Sequence, residues 1–133
     1  MPKVFISHSR TDVAQVGLLR YQAESGNYNM EFEDNSLRAP VEYGDWRGPV
    51  GSKIENSDVV IVLVGEDTAS RTAVSWEVQY AYDHDIPVIP VRVHKDYNHK
   101  LPKPVVKEGN QAVKWQMDTI QKEIEKKLRN EDG

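Results

Sequence analysis

Three short runs built almost entirely of β-branched and aliphatic residues dominate the chain: Val4-Phe5-Ile6, "VVIVLV" at 59–64 and "PVIPVRV" at 87–93. A weaker run, "MEFED" at 30–34, falls between the first two, so the four centres lie about 28 residues apart. Continuous apolar runs, as opposed to alternating ones, are what strands look like when helices cover both of their faces. In "MEFED" acids alternate with Met30 and Phe32, which suits a strand nearer an edge. The intervals are long enough for crossover helices, and each carries a helical pattern. Val16, Leu19 and Ala23 recur on one face between 11 and 26, with Thr11 or Asp12 placed to cap and Gly26 to stop. Trp46, Val50 and Ile54 share a face in a short helix despite Gly48, Pro49 and Gly51. A third helix spans 70–84, burying Val74, Val78 and Ala81. A fourth spans 118–130, where Ile120, Ile124 and Leu128 form one stripe and Asp118 with Gln121 resembles a capping box.

Strands alternating with helices imply right-handed crossovers and parallel pairing. The expected fold is therefore an open, doubly wound α/β domain of the flavodoxin-like kind, with four to five mostly parallel strands and helices on both faces. The expected order is 2-1-3-4, with a fifth strand within 112–116 beyond the fourth. The 95–109 segment, with Pro102 and Pro104, reads as a long loop. At 133 residues the chain is one domain, 1–133, able to bury roughly two-thirds of its unfolded surface.

A net charge of −4 with both signs interspersed leaves no basic stripe for nucleic acid. The absence of cysteine excludes disulfides, thiolate metal sites and cysteine nucleophiles. No apolar run approaches the ~18 residues of a membrane span, and the N-terminus has no long apolar signal region, so a cytoplasmic protein without a membrane partner is expected.

Ligands of such sheets sit at the carboxyl ends of the strands, here Ser7-His8-Ser9-Arg10, Asp34-Asn35-Ser36, Gly65 to Thr68 and Arg92 to His94. The chemistries this architecture invites fail one by one. A phosphoacceptor domain needs acids after its first strand, and "FISHS" has none. No GxxxxGK[ST] or GxGxxG is present, and "GPVGSK" has the wrong spacing. The four histidines lack metal-ligand spacing, so no metal is expected. There is no GxSxG nucleophile turn. One acid remains conspicuous. Glu77 stands in "VSWEVQYAYDHDIPVIPVRVH" among aromatic and aliphatic neighbours, either as a flank carboxylate paired across a groove or as a working group.

Several segments together resemble Toll/interleukin-receptor (TIR) domains. "VFISHSRTD" resembles their opening box, "FEDNS" their second strand and the loop start after it, and "KIENSDVVIVLVGEDTASRTAVSWEVQYAYDHDIPVIPVRV" the bacterial TIR-like group of the Thoeris ThsB kind. The resemblance spans residues 3 to 94. It implies that Glu77 is the catalytic glutamate of a NAD-cleaving enzyme, with Trp76 the aromatic before it. It further implies that Ser7 and His8 line the nucleotide site and that Asp34 and Ser36 begin the flanking loop. The position four residues before the glutamate, aromatic in the family, is Ala73 here, which removes one wall of the expected pocket.

That chemistry needs only one acid. Nicotinamide leaves NAD as a neutral molecule from a cationic glycosidic bond, so no general acid is required, unlike ordinary glycosides. A lone carboxylate can hold ribose hydroxyls and stabilise positive charge developing at the anomeric carbon, in a site walled by Trp76 and Tyr80. Arg10 is the candidate for a phosphate contact. The leading expectation is thus an enzyme of prokaryotic antiviral defence with NAD as substrate, no cofactor, and an ADP-ribose product, linear or cyclic. The alternatives are a non-catalytic TIR-like module that self-associates through its surfaces, and a flavodoxin-like domain binding another nucleotide.

Overall fold

The computed structural model describes residues 1–33 and 47–132, with side chains to residue 129. Five parallel strands, β1 (Lys3–Ser7), β2 (Glu31–Phe32), β3 (Val59–Val64), β4 (Val88–Arg92) and β5 (Val113–Lys114), form one sheet in the order β2-β1-β3-β4-β5. The helices are α1 (Val13–Ser25), α2 (Arg47–Glu55), α3 (Thr72–Asp83), α4 (Lys103–Glu108) and α5 (Met117–Asp132). The expected order holds, and the fifth strand lies where it was placed.

Why the apolar runs are continuous is visible in the core. Side chains alternate across a strand, so each run feeds two separate hydrophobic layers. Val4, Ile6, Val59, Ile61, Leu63, Ile89 and Val91 pack with Val16, Leu19 and Ala23 of α1 and Ile120 and Ile124 of α5. Phe5, Val60, Val62 and Val88 pack on the other side with Val50 and Ile54 of α2, Val74, Val78 and Ala81 of α3, and Val105 of α4. All six residues of β3 are fully buried. Pro90 sits inside β4 without harm, because the amide of Val93 points to Val64 of β3 and alternation turns position 90 toward the other side. There β5 begins pairing only at Val91.

Two local expectations change, and one, the stop of α1 at Gly26, holds. The 95–109 segment contains a helix, α4, in which Pro102 is the N-cap, Pro104 falls in the first turn and Gly109 closes the end at φ 73°. Proline is tolerated at these positions because first-turn amides have no intrahelical acceptor. Asp118 and Gln121 do not act as a reciprocal cap; they accept hydrogen bonds from the Tyr28 hydroxyl and the Asn29 amide, both at 2.8 Å, and tie α5 to the turn before β2. Gly26 ends α1, but not by a left-handed backbone, which belongs to Asn27 at φ 55°. Gly26 is needed for space: a Cβ there would meet the Tyr28 ring at 2.5 Å. The expected strand residue Asp34 and helix residue Trp46 lie outside the described residues.

Candidate functional site

The chain leaves β1 toward α1 on one face of the sheet and leaves β3 toward α3 on the other, so the neighbouring carboxyl ends of β1 and β3 form a switch point. Ser7, the last residue of β1, and Glu77, in the second turn of α3, meet there. The Ser7 hydroxyl donates to Glu77 Oε1 at 2.6 Å, and both residues have zero exposure. Glu77 is thus covered, where the sequence suggested a pocket around it. His8 is nearly buried, and its Nδ1 lies 2.8 Å from the Ser9 carbonyl. Arg10 begins a single 3₁₀ turn, Arg10–Asp12, and is exposed. Asp34 and Ser36 lie outside the described residues.

Trp76 and Tyr80 take a different position from the one the sequence suggested. Tyr80 spans from α3 to α2, where its hydroxyl donates to Glu55 Oε2 at 2.8 Å and its ring covers Gly51. The hydrogen bond to the Glu55 carboxylate, and to a lesser extent burial, push the Tyr80 hydroxyl above its ordinary value. Trp76 stacks on Tyr80 at 4.9 Å between centroids, and Tyr80 on His84 at 4.0 Å. The three rings follow the i, i+4, i+8 spacing of one helix face and form a seam with α2, whereas Glu77 faces β1. Trp115 is likewise an anchor, donating to Gln22 Oε1 at 2.8 Å.

A second set of groups lies at the same strand ends, placed there by the sequence but given no role by it. Asp12 was a candidate cap, but its side chain makes no capping bond. The residue is 6% exposed, its Oδ2 has no hydrogen-bond partner among the described residues, and the carboxylate lies flush on Gly65, where an added Cβ would be 2.5 Å from Oδ2. Burial, then the charge of Asp67, raises its pKa, with the imidazoles of His94 and His8 offsetting part of the effect. Asp67 has the opposite fate. Burial alone would raise it, yet hydrogen bonds from Arg71, Ser9 and Thr11 outweigh that and bring it down to about 2. Thr68 closes the turn after β3, accepting from the Gly65 amide at 2.8 Å and donating to the Leu63 carbonyl at 3.1 Å. The signal for this set was the polar "GEDT" at the end of β3, uninformative until its partner segment is known.

Among the described residues no cluster of three His, Asp or Glu side chains could hold a metal ion, and no helix is long and apolar enough to cross a membrane.

Comparison with known structures places the fold. A conserved protein from Enterococcus faecalis V583 superposes with a TM-score of 0.70 at 16% identity, covering 96% of this chain and 99% of that one. The TIR domain of the Toll-related receptor TRR-2 from Hydra magnipapillata gives 0.65 at 16% identity, covering 98% of each chain. A prokaryotic SEFIR domain gives 0.63 at 17% identity, covering 96% of this chain and 92% of that one. At these identities the likeness is one of fold. No curated protein matches the sequence. The family model described as "Thoeris protein ThsB, TIR-like domain" matches residues 5–98, which include the end of β1, all of β3, β4 and α3, and both Ser7 and Glu77. The chain therefore belongs to the TIR-like domain family of Thoeris protein ThsB.

Proposed function

We propose that this domain cleaves NAD at the nicotinamide–ribose bond, with Glu77 as the catalytic carboxylate, and that its ADP-ribose-derived product serves as a nucleotide signal in antiviral defence. The observation that carries the reading is the Ser7–Glu77 hydrogen bond at 2.6 Å, which joins a fully buried carboxylate to the end of β1 at the switch point of the sheet. A ribose hydroxyl has the same donor chemistry as Ser7, so substrate can take over that bond while the carboxylate stabilises positive charge at the anomeric carbon. At a buried position such a charge acts more strongly than it would in water. Nicotinamide departs neutral, and water or an internal nucleophile of the ADP-ribose completes the reaction. Ser7 and His8 are assigned to the substrate side, and Arg10, free of any ion pair among the described residues, to a phosphate.

One observation favours the alternative of an interaction module. Val13, Leu18 and Tyr21 on α1 are 64%, 48% and 68% exposed, an apolar outer surface on a helix whose inner face is already buried. Self-association through it is compatible with catalysis as well.

The test is incubation of the purified protein with NAD, alone and with lysate from infected cells, followed by mass analysis. Release of nicotinamide with linear or cyclic ADP-ribose supports the enzyme. NAD left intact under every triggering condition, with oligomerisation abolished by Leu18→Glu, supports the module.

A further inference from the structure

Ser7 and Glu77 are held on two segments that share no covalent neighbour, so their spacing depends on what ties the segments together. The Asp67 carboxylate touches both. Its Oδ1 accepts from Thr11 Oγ1 at 2.9 Å, and its Oδ2 accepts from Arg71 Nε at 3.0 Å and Nη2 at 2.5 Å. Thr11 continues the chain of bonds, with its hydroxyl 3.1 Å from Ser9 Oγ, and the Ser9 carbonyl meets His8 Nδ1. On the other side, the Arg71 carbonyl accepts from the Ser75 amide at 3.1 Å and so closes the first turn of α3. The result is a closed circuit: Ser7 to His8, Ser9, Thr11, Asp67, Arg71, along α3 to Glu77, and back to Ser7.

We propose that Asp67 is a positioning residue of this site, its two oxygens setting the distance between the segment that carries Ser7 and His8 and the helix that carries Glu77. This rests on the reading of Glu77 as the catalytic carboxylate. An ordinary i,i+4 ion pair at a helix start would use Arg71 alone and contribute little. Here one carboxylate also reaches a hydroxyl 56 residues away, and the depression of its pKa to about 2 reflects donors from both segments. Asp67 touches neither Ser7 nor Glu77, so its effect on chemistry passes through geometry, to which catalytic steps are steeply sensitive.

The test uses the full chain as wild type, Asp67→Asn, Thr11→Val and Thr11→Ser. Amide hydrogen exchange across residues 8–12, kcat and KM for NAD, and denaturant unfolding are measured on each. The clamp predicts that Asp67→Asn and Thr11→Val accelerate exchange in that segment several-fold beyond any change in global unfolding. It predicts a kcat lower on the order of 10-fold at nearly constant KM. Thr11→Ser, which keeps the hydroxyl, restores both. Exchange in residues 8–12 identical to wild type in Thr11→Val, or a Thr11→Ser variant as impaired as Thr11→Val, overturns the proposal. A wild type that never cleaves NAD overturns the reading of Glu77 instead, and the exchange measurement then decides the clamp by itself.

Discussion

Ser7 and Glu77, 70 residues apart in sequence, share a 2.6 Å hydrogen bond between two fully buried side chains. Ser7→Ala takes the hydroxyl donor from Glu77 Oε1 at a fully buried position, a loss of ~1–3 kcal/mol in denaturant unfolding. Glu77→Gln retains an acceptor for Ser7, so it costs less stability than Ser7→Ala. Its effect on turnover is the larger one. Removing the charge that stabilises an oxocarbenium-like transition state lowers NAD cleavage on the order of 10²-fold or more, equivalent to ~3 kcal/mol. Equal NAD consumption by wild type and Glu77→Gln would remove Glu77 from the mechanism.

Asp12 makes stability fall as pH rises. Its folded pKa is raised, mainly by burial, so the native state binds more protons than the unfolded chain between the ordinary carboxylate value and the folded one. The stabilisation is complete below the unfolded pKa and is lost as pH rises through the folded pKa. Asp12→Asn cannot ionise. Its unfolding free energy relative to wild type should therefore improve from pH 4 toward pH 8; a constant difference across that range would show that Asp12 carries no shifted titration.

Asp67 acts in the opposite sense. Its folded pKa, about 2, lies below the ordinary carboxylate value of 3.8, so its contribution is present above that value and disappears as pH falls toward 2. Acid unfolding of wild type should show a component in this window that Asp67→Asn lacks. The group is partly open to solvent, so high salt should shrink the component.

Two glycine substitutions should move stability in opposite directions. Gly17 lies in α1 with nothing within 4 Å of an added Cβ, so Gly17→Ala gains the helix propensity of alanine, ~0.5–1 kcal/mol. Gly65→Ala puts its methyl 2.5 Å from Asp12 Oδ2 and displaces a buried carboxylate, a loss of about 1–3 kcal/mol. Thermal melts of the two variants decide the matter, and a stabilised Gly65→Ala would mean that Asp12 moves aside freely.

By itself the sequence determined the strands, their parallel order and the two-sided covering. Those properties follow from local periodicity: runs such as Val59 to Val64 have no polar face, and a chain with helical patterns between such runs can satisfy them only by winding on both sides. It also marked Glu77, because an acid amid apolar neighbours stands out on one line of text. Tertiary structure alone decided what surrounds that acid. Tyr80, within one helical turn of Glu77, reaches to α2 and Trp76 stacks on it, since a helix rotates successive side chains by about 100° and only packing selects which direction meets the sheet. Asp12 and Asp67 are both unremarkable aspartates in polar loops, and nothing local distinguishes them. One is raised and the other lowered because the β1 and β3 ends come together, burying the first against Gly65 and giving the second donors from both segments. A carboxylate's environment is a sum over neighbours in space, which a linear sequence does not list.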